Sequence, residues 1–303
     1  MTIMTDFQQK MTALLPTVKL LTNESLAKHT SFKIGGPAEV MAFPKTAEEL
    51  SEILKQSALL DCKPVILGAG TNILAPDEGV SGLVICLKEC MDLLEQPDAT
   101  HIQVGAGVSM ARAANFAAGC GLSGLEFAHG IPGSVGGGVY MNAGAYGGEI
   151  CQVCESVEVM DKNGNLSVFS GAEMDFSYRH SRLEEDGGIV LSATFVLSPK
   201  PTEEIRAVMQ ELMSRRRSSQ PLDLPSAGSA FKRPVGGYAA ALIDQTGLKG
   251  YQIGGAAVSE KHAGFVVNLG GATAKDVKIL LNNVSDKVFE STGIRLEPEV
   301  RIW

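Results

Sequence analysis

The sequence predicts an α+β chain with mixed sheets, and three observations carry that expectation. Short β-branched runs alternate with amphipathic helical stretches along the whole chain. A breaker-rich junction, SPKPT at 198–202, divides it. No internal repeat or low-complexity tract interrupts it. At 303 residues there is room for two or three domains, each with its own core.

The elements follow in order. The first 28 residues read as a helical segment without the basic start and continuous apolar core of a signal peptide. Residues 47–60 place Leu50, Ile53, Leu54 and Ala58 on one helical face. PVIL (64–67), LVICL (83–87) and HIQV (101–104) read as strands, and 110–120 as an alanine-rich helix. Two strands, 156–160 and 166–169, flank Asn163-Gly164, a hairpin signal. A further strand spans 188–197. After the junction, Glu203 and Glu204 open a helix that ends in Arg215, Arg216 and Arg217, charges that match the helix dipole. A last helix, 274–291, repeats apolar residues at Val277, Leu280, Leu281, Val284 and Val288 and is stopped by Gly293.

Composition excludes several classes of function. A net charge of −8 argues against non-specific nucleic-acid binding, which needs a basic footprint. No apolar run reaches the ~18–20 residues of a membrane span, so no membrane insertion is expected. Six cysteines are too sparse for a disulfide scaffold, and the expected compartment is the cytoplasm. CQVC at 151–154 has zinc-like spacing, but the nearest second pair, Cys86 and Cys90, is loosely spaced in an apolar segment. Reduced structural cysteines and no metal site are expected.

Glycine usage points to a ligand. GIPGSVGGGVYMNAGAYG (130–147) carries no charge, and seven of its eighteen residues are glycine. Glycine loses the most chain entropy on folding, so such a cluster implies unusual backbone angles or a partner that approaches the main chain. A second turn, LGAGTNIL (67–74), follows the strand at 64–67, an arrangement that exposes backbone N–H groups to phosphate. It lacks the third glycine and the acidic residue of the dinucleotide fingerprint. Together the loops suggest a large phosphorylated cofactor lying along bare backbone. Tight turns with packing glycines are the alternative.

Seven motifs in fixed order carry a resemblance. They are TSFKIGGPA (30–38), LGAGTN (67–72), GIPGSVGG (130–137), NAGAYG (142–147), FSYRHS (176–181), AGSAFKRP (227–234) and LEPEVR (296–301). From about Ser31 onward the chain closely resembles the UDP-N-acetylenolpyruvoylglucosamine reductases, FAD enzymes of peptidoglycan precursor synthesis. The resemblance implies a vanillyl-alcohol-oxidase/p-cresol-methylhydroxylase-type FAD-binding unit at 29–198, with subdomains at about 29–88 and 89–198, and an α+β substrate domain at 199–303. It implies NADPH as hydride donor and UDP-N-acetylglucosamine enolpyruvate as substrate.

Carried over by motif, Gly68, Ala69, Gly70, Thr71 and Asn72, with Gly130, Pro132, Gly133, Ser134, Gly136, Gly137, Asn142 and Gly144, are implied to hold FAD. The first loop has no histidine, so the FAD is expected to be non-covalent. Arg179 matches the family's arginine that grips the substrate carboxylate, Ser229 its proton donor and Glu299 its acid, for which the carboxyl must hold or share a proton. Glu297 is the solvated neighbour. Tyr178, Lys232 and Arg233 are implied at the substrate, with Arg233 standing where many relatives have asparagine. The short 179–229 interval leaves little room for the substrate-capping tyrosine loop of larger members, so the chain resembles the shorter type. Rival readings are another FAD oxidoreductase of the same fold acting on a different alcohol or sugar, and a non-catalytic nucleotide-binding module.

Overall fold

The computed structural model describes residues 4–88 and 90–303. The first three residues of the N-terminal segment, and Glu89, where the second expected subdomain begins, lie outside the described residues.

Helices form where a cap coincides with an apolar stripe. Asp6–Leu14 opens on a capping box in which the Thr5 hydroxyl accepts the Gln8 N–H and the Gln8 side chain accepts the Thr5 N–H. Ala47–Leu59 is capped by Thr46 and buries Leu50, Ile53 and Leu54. The fourth expected face residue, Ala58, is exposed; Ser57 takes its place, its hydroxyl satisfied by the Leu54 carbonyl. Ala274–Thr292 buries all five expected apolar residues and ends at Gly293 in the left-handed conformation, φ 73°. The hairpin pairs Cys154–Met160 with Leu166–Ser170 around Asn163 and Gly164.

Sheets are mixed, as expected. A four-stranded sheet runs in the order Lys19–Ser25, Pro37–Phe43, Val80–Cys86, Val65–Leu67, the last two parallel. A five-stranded antiparallel sheet runs Leu166–Ser170, Cys154–Met160, Ile189–Val196, His101–Gly105, Leu94–Glu95. A third sheet is antiparallel, in the order Ser226–Ser229, Phe265–Asn268, Ala256–Val258, Gln252–Ile253.

The chain packs as two compact units. The first comprises the chain up to Thr22, Glu39–Ala69 and Gly82–Arg215. It holds two apolar cores. One gathers Val40, Leu50, Ile53, Leu83 and Ile85; the other gathers Val104, Val157, Ala193 and Phe195 under the helix Met110–Gly119. That helix buries Ala113, Ala114, Ala117 and Ala118, small side chains that let it lie close to its neighbours.

The second unit comprises Asn23–Ala38, Gly70–Ser81 and Arg216–Trp303. Two early pieces thus join Arg216–Trp303, while the first part of the helix Thr202–Ser219 that follows the 198–202 junction stays with the first unit. Phe32, Ile34 and Leu74 from those pieces enter its core beside Val277, Leu280 and Val284. Ile73–Leu74 also pairs in parallel with Arg301–Ile302, next to the C-terminus.

Candidate active site

Two glycine loops of the first unit meet at one hydroxyl. The strand Val65–Leu67 runs into Gly68, and the loop from Gly130 runs into the helix Val135–Tyr140, N-capped by Ser134. A Cβ on Gly68 would stand 3.2 Å from Ser134 Oγ, and one on Gly137 would stand 3.5 Å from the same atom. Ser134 is buried, and its Oγ accepts the Gly137 N–H. The Val135 and Gly136 N–H groups donate to the carbonyls of Val108 and Ala106, which fixes the entry to the helix.

The three consecutive glycines have different duties. A Cβ on Gly136 would lie 2.9 Å from Ala106 Cβ, and one on Gly138 would lie 2.7 Å from Met110 Sδ. Close packing at these two positions needs glycine; Gly136 is half-buried and Gly138 buried. Gly137 is exposed, and a Cβ there would meet, beyond its chain neighbours and its own helix's backbone, only Ser134 Oγ within 4 Å among the described residues. Gly133 has φ 136°, and its carbonyl accepts the Met110 N–H; Gly130 is half-buried and Pro132 exposed in the same loop.

The 68–72 loop passes from the first unit to the second between Ala69 and Gly70. Gly70 is buried and left-handed, φ 66°, and a Cβ there would collide with the His29 carbonyl. It is a packing glycine. Thr71 is half-buried beside it.

Arg179 sits at a strained corner of the first unit. Ser177 and His180 exchange main-chain hydrogen bonds of 3.2 and 3.3 Å, which puts Tyr178 and Arg179 at the corners of a tight turn. Arg179 has φ 55°. A positive φ at the third turn position is usually glycine's, and a side chain there costs about 1–2 kcal/mol. The guanidinium Nη2 donates to the Gly144 carbonyl at 3.1 Å, and the Tyr178 ring lies 5.0 Å away.

Gly144 belongs to a hairpin that pairs Gly144–Ala145 with Gly148–Glu149. Its two turn residues, Tyr146 and Gly147, are both left-handed, the requirement of the tightest hairpin turn. A Cβ on Gly144 would press on the Gly148 carbonyl oxygen at 2.7 Å, so this glycine too serves the backbone. The Arg215 guanidinium lies 5.1 Å from the Tyr146 ring.

Asn142, expected on the cofactor, is committed to the protein. It is 1% exposed. Its Nδ2 donates to the Ser177 carbonyl at 2.9 Å and to Glu149 Oε2 at 3.2 Å, and its Oδ1 accepts the Cys151 N–H at 2.9 Å. Both amide hydrogens and the oxygen are used within the fold. Sequence reasoning missed this, together with Glu149, Ser177, Tyr146 and Arg215. The available signal was the Asn-Ala-Gly-Ala-Tyr-Gly run itself, dense in residues that tolerate φ > 0.

In the second unit, Ser229 and Glu299 come together. The Glu299 N–H donates to the Ala230 carbonyl and the Lys232 N–H to the Glu297 carbonyl, around a bridge between Phe231 and Pro298. Asn72 Nδ2 donates to the Glu299 carbonyl at 3.2 Å, and the Asn72 carbonyl accepts the Arg301 N–H. Ser229 is exposed and Glu299 half-buried. Glu297 is exposed and pairs with Lys232 Nζ at 3.5 Å. The Arg233 guanidinium lies 4.1 Å from the Tyr238 ring. Arg179 belongs to the first unit and this pair to the second. Of the CQVC cysteines, Cys151 is exposed and Cys154 buried, its thiol pushed up to about 12 by burial.

Residues 220–303 match the family model for the C-terminal domain of UDP-N-acetylenolpyruvoylglucosamine reductase, and 38–170 match that of an FAD-binding domain. The reductase of Agathobacter rectalis is 46% identical, with 98% of each chain covered. That of Caldanaerobacter subterraneus subsp. tengcongensis is 47% identical over 97% of this chain and 96% of its own. The chain belongs to the UDP-N-acetylenolpyruvoylglucosamine reductase family. Its fold agrees with the crystal structure of the Thermus caldophilus reductase at a TM-score of 0.78 and 39% identity, covering 94% of this chain and 98% of that one.

The residues present fit the flavin cofactor of that family. The bare main chain at Gly68 and Gly137, both close to the Ser134 hydroxyl, is a cradle that any Cβ would narrow. It lies within the stretch that matches the FAD-binding domain.

Proposed function

We propose that the protein reduces UDP-N-acetylglucosamine enolpyruvate to UDP-N-acetylmuramate with NADPH, as a step in peptidoglycan precursor synthesis. The observation that carries the reading is the family membership over nearly the full chain, together with the cradle at Ser134. FAD, when bound, would supply the hydride chemistry that links NADPH to the enolpyruvyl double bond. Gly68, Ala69, the 130–137 loop and the N-terminal turn of its helix would hold it without a covalent link, because the first loop has no histidine.

The chain's own residues then manage charge and one proton. Hydride adds to the terminal alkene carbon, and negative charge spreads from the ether-bearing carbon into the carboxylate. Arg179 grips that carboxylate with its planar fork and is stabilising where charge develops. Ser229 gives its hydroxyl proton to the ether-bearing carbon, and Glu299 shares a proton with the enol-like carboxylate. Tyr178, Lys232 and Arg233 line the substrate side, Arg233 toward the diphosphate. The unit containing Arg216–Trp303 is the substrate-binding part.

The cytoplasm is the compartment this reading expects, because the proposed substrates are nucleotide-linked. Among the described residues, no helix is long and apolar enough to cross a membrane. The test is NADPH oxidation by the FAD-loaded protein, with and without the enolpyruvyl substrate. Consumption of NADPH matched by UDP-N-acetylmuramate formation is expected. Oxidation that ignores the substrate would leave a different flavin oxidoreductase as the better reading.

A further inference from the structure

The strain at Arg179 needs a restraint, and the surrounding bonds identify one. The 177–180 turn is anchored on both flanks at the end of the glycine-rich helix. Before the turn, the Ser177 carbonyl accepts Asn142 Nδ2; after it, Ser181, fully buried, donates its hydroxyl to the Tyr140 carbonyl at 2.7 Å. The acceptor of the guanidinium is tied to the same amide. Gly144 is paired in register with Glu149, whose carboxylate accepts the other Asn142 donor, and Cys151 N–H reaches Asn142 Oδ1.

One buried side chain therefore touches two of the features that hold the arginine: the backbone of its turn and the hairpin that receives its Nη2. We infer that Asn142 is a positioning residue for Arg179, holding its guanidinium where the substrate carboxylate is bound. The inference rests on the proposed role of Arg179, and it replaces the cofactor contact expected of Asn142 from sequence.

The chemistry of the amide explains why no close substitute serves. Aspartate is the same size but has no donor, so it releases Ser177 and places a second carboxylate against Glu149. A carboxylate-binding arginine displaced by about 1 Å can lose up to about 10²-fold in rate.

The test is a double-mutant cycle on the FAD-loaded enzyme, using Asn142→Asp, Arg179→Lys and both together. Reoxidation of the flavin by the enolpyruvyl substrate should fall about 10- to 10²-fold in Asn142→Asp, with reduction by NADPH changed less than about threefold. In the Arg179→Lys background the second substitution should cost almost nothing. Equilibrium binding gives a second readout. UDP-N-acetylmuramate, which carries the carboxylate, should bind the Asn142→Asp enzyme more weakly, while UDP binds as before.

Multiplicative losses in the cycle, or equal weakening of both ligands, would mean a general structural role and overturn the inference. An Arg179→Lys enzyme reoxidised at the wild-type rate would overturn the reading of Arg179 as well. Should Asn142→Asp not fold, Glu149→Ala removes one of the same bonds from a half-buried site, and the same cycle decides.

Discussion

The Arg179 turn and the Ser229–Glu299 pair are positioned by different kinds of bond. Arg179 lies on a left-handed corner held by a buried side-chain amide and a buried serine hydroxyl. Ser229 and Glu299 lie on paired segments joined mainly by main-chain bonds, Glu299 to Ala230 and Lys232 to Glu297. A ladder survives most side-chain changes, because every residue but proline supplies the same donor and acceptor. A corner held by specific side chains does not. Substitutions around Ser229 and Glu299 should therefore change chemistry alone, and substitutions around Arg179 should change chemistry and stability together.

The largest expected effect tests the first half. Ser229→Ala removes one hydroxyl from an exposed site whose backbone pairing remains. A lost general acid slows a step by about 10²–10⁴-fold, and flavin reoxidation by the enolpyruvyl substrate should fall in that range. Melting temperature and flavin reduction by NADPH should stay at wild-type values. A matching drop in stability would show that the hydroxyl supports the strand, and reoxidation at the wild-type rate would mean that another group supplies the proton.

The second effect lies at the corner. Arg179→Lys keeps the charge and loses the fork, and reoxidation should fall about 10²–10³-fold. Two further variants isolate the backbone. Arg179→Ala and Arg179→Gly both lose the side chain, but only glycine is relaxed at φ 55°. Arg179→Gly should be the more stable of the two by about 1 kcal/mol in denaturant unfolding. Equal stabilities would show that the turn stores no strain.

The contrast also explains what the sequence could and could not show. Local signals were legible. Thr46 and the Leu50–Leu54 stripe placed one helix, Gly293 ended another, and the 154–170 hairpin formed around Asn163 and Gly164. Ser229 and Glu299 are candidates through the resemblance their motifs carry, and no local signal says that their segments pair. Long-range commitments were not legible. Nothing within the NAGAYG run says that Asn142 will spend its amide on Ser177, and nothing near Gly136 says that Ala106 will lie against it. The early pieces Asn23–Ala38 and Gly70–Ser81 join the second unit through contacts with far-off residues, such as Asn268 Nδ2 to the Phe32 carbonyl. Spacing along the chain carries no record of such partners.

A third test separates two neighbours that sequence treated alike. Gly137→Val adds a side chain on an open, exposed face, so the variant should fold normally and lose retained FAD. Gly136→Val forces carbon against Ala106 and should lose about 1–3 kcal/mol of stability, the usual cost of overpacking. Flavin content after gel filtration, set beside the unfolding midpoint, reads both. Normal flavin content in Gly137→Val would make it one more packing glycine.

The smallest effect asks whether a side-chain clamp matters only when it is buried. His101 bridges Asp98, at 2.8 Å from Nδ1, and Glu155, at 3.2 Å from Nε2, and both carboxylates are largely exposed. Hydrogen bonding to Asp98 raises the His101 pKa above its ordinary value, and the Thr100 backbone with His101 holds Asp98 down to about 2. The raised His101 value means that its contribution is complete below the ordinary histidine range and disappears as pH rises through the folded-state value. The lowered Asp98 value means that its contribution is complete above the ordinary aspartate range and disappears as pH falls toward about 2. The two are complete together only in the mildly acidic window between. Solvent screens exposed pairs of this kind, so the melting temperature should fall only slightly between that window and alkaline pH. Asp98→Asn should move the His101 titration, followed by its ring proton NMR signals, to lower pH and flatten even that slope. A large loss of stability in Asp98→Asn would break the comparison, because a solvent-facing clamp would then do what only the buried Asn142 is expected to do.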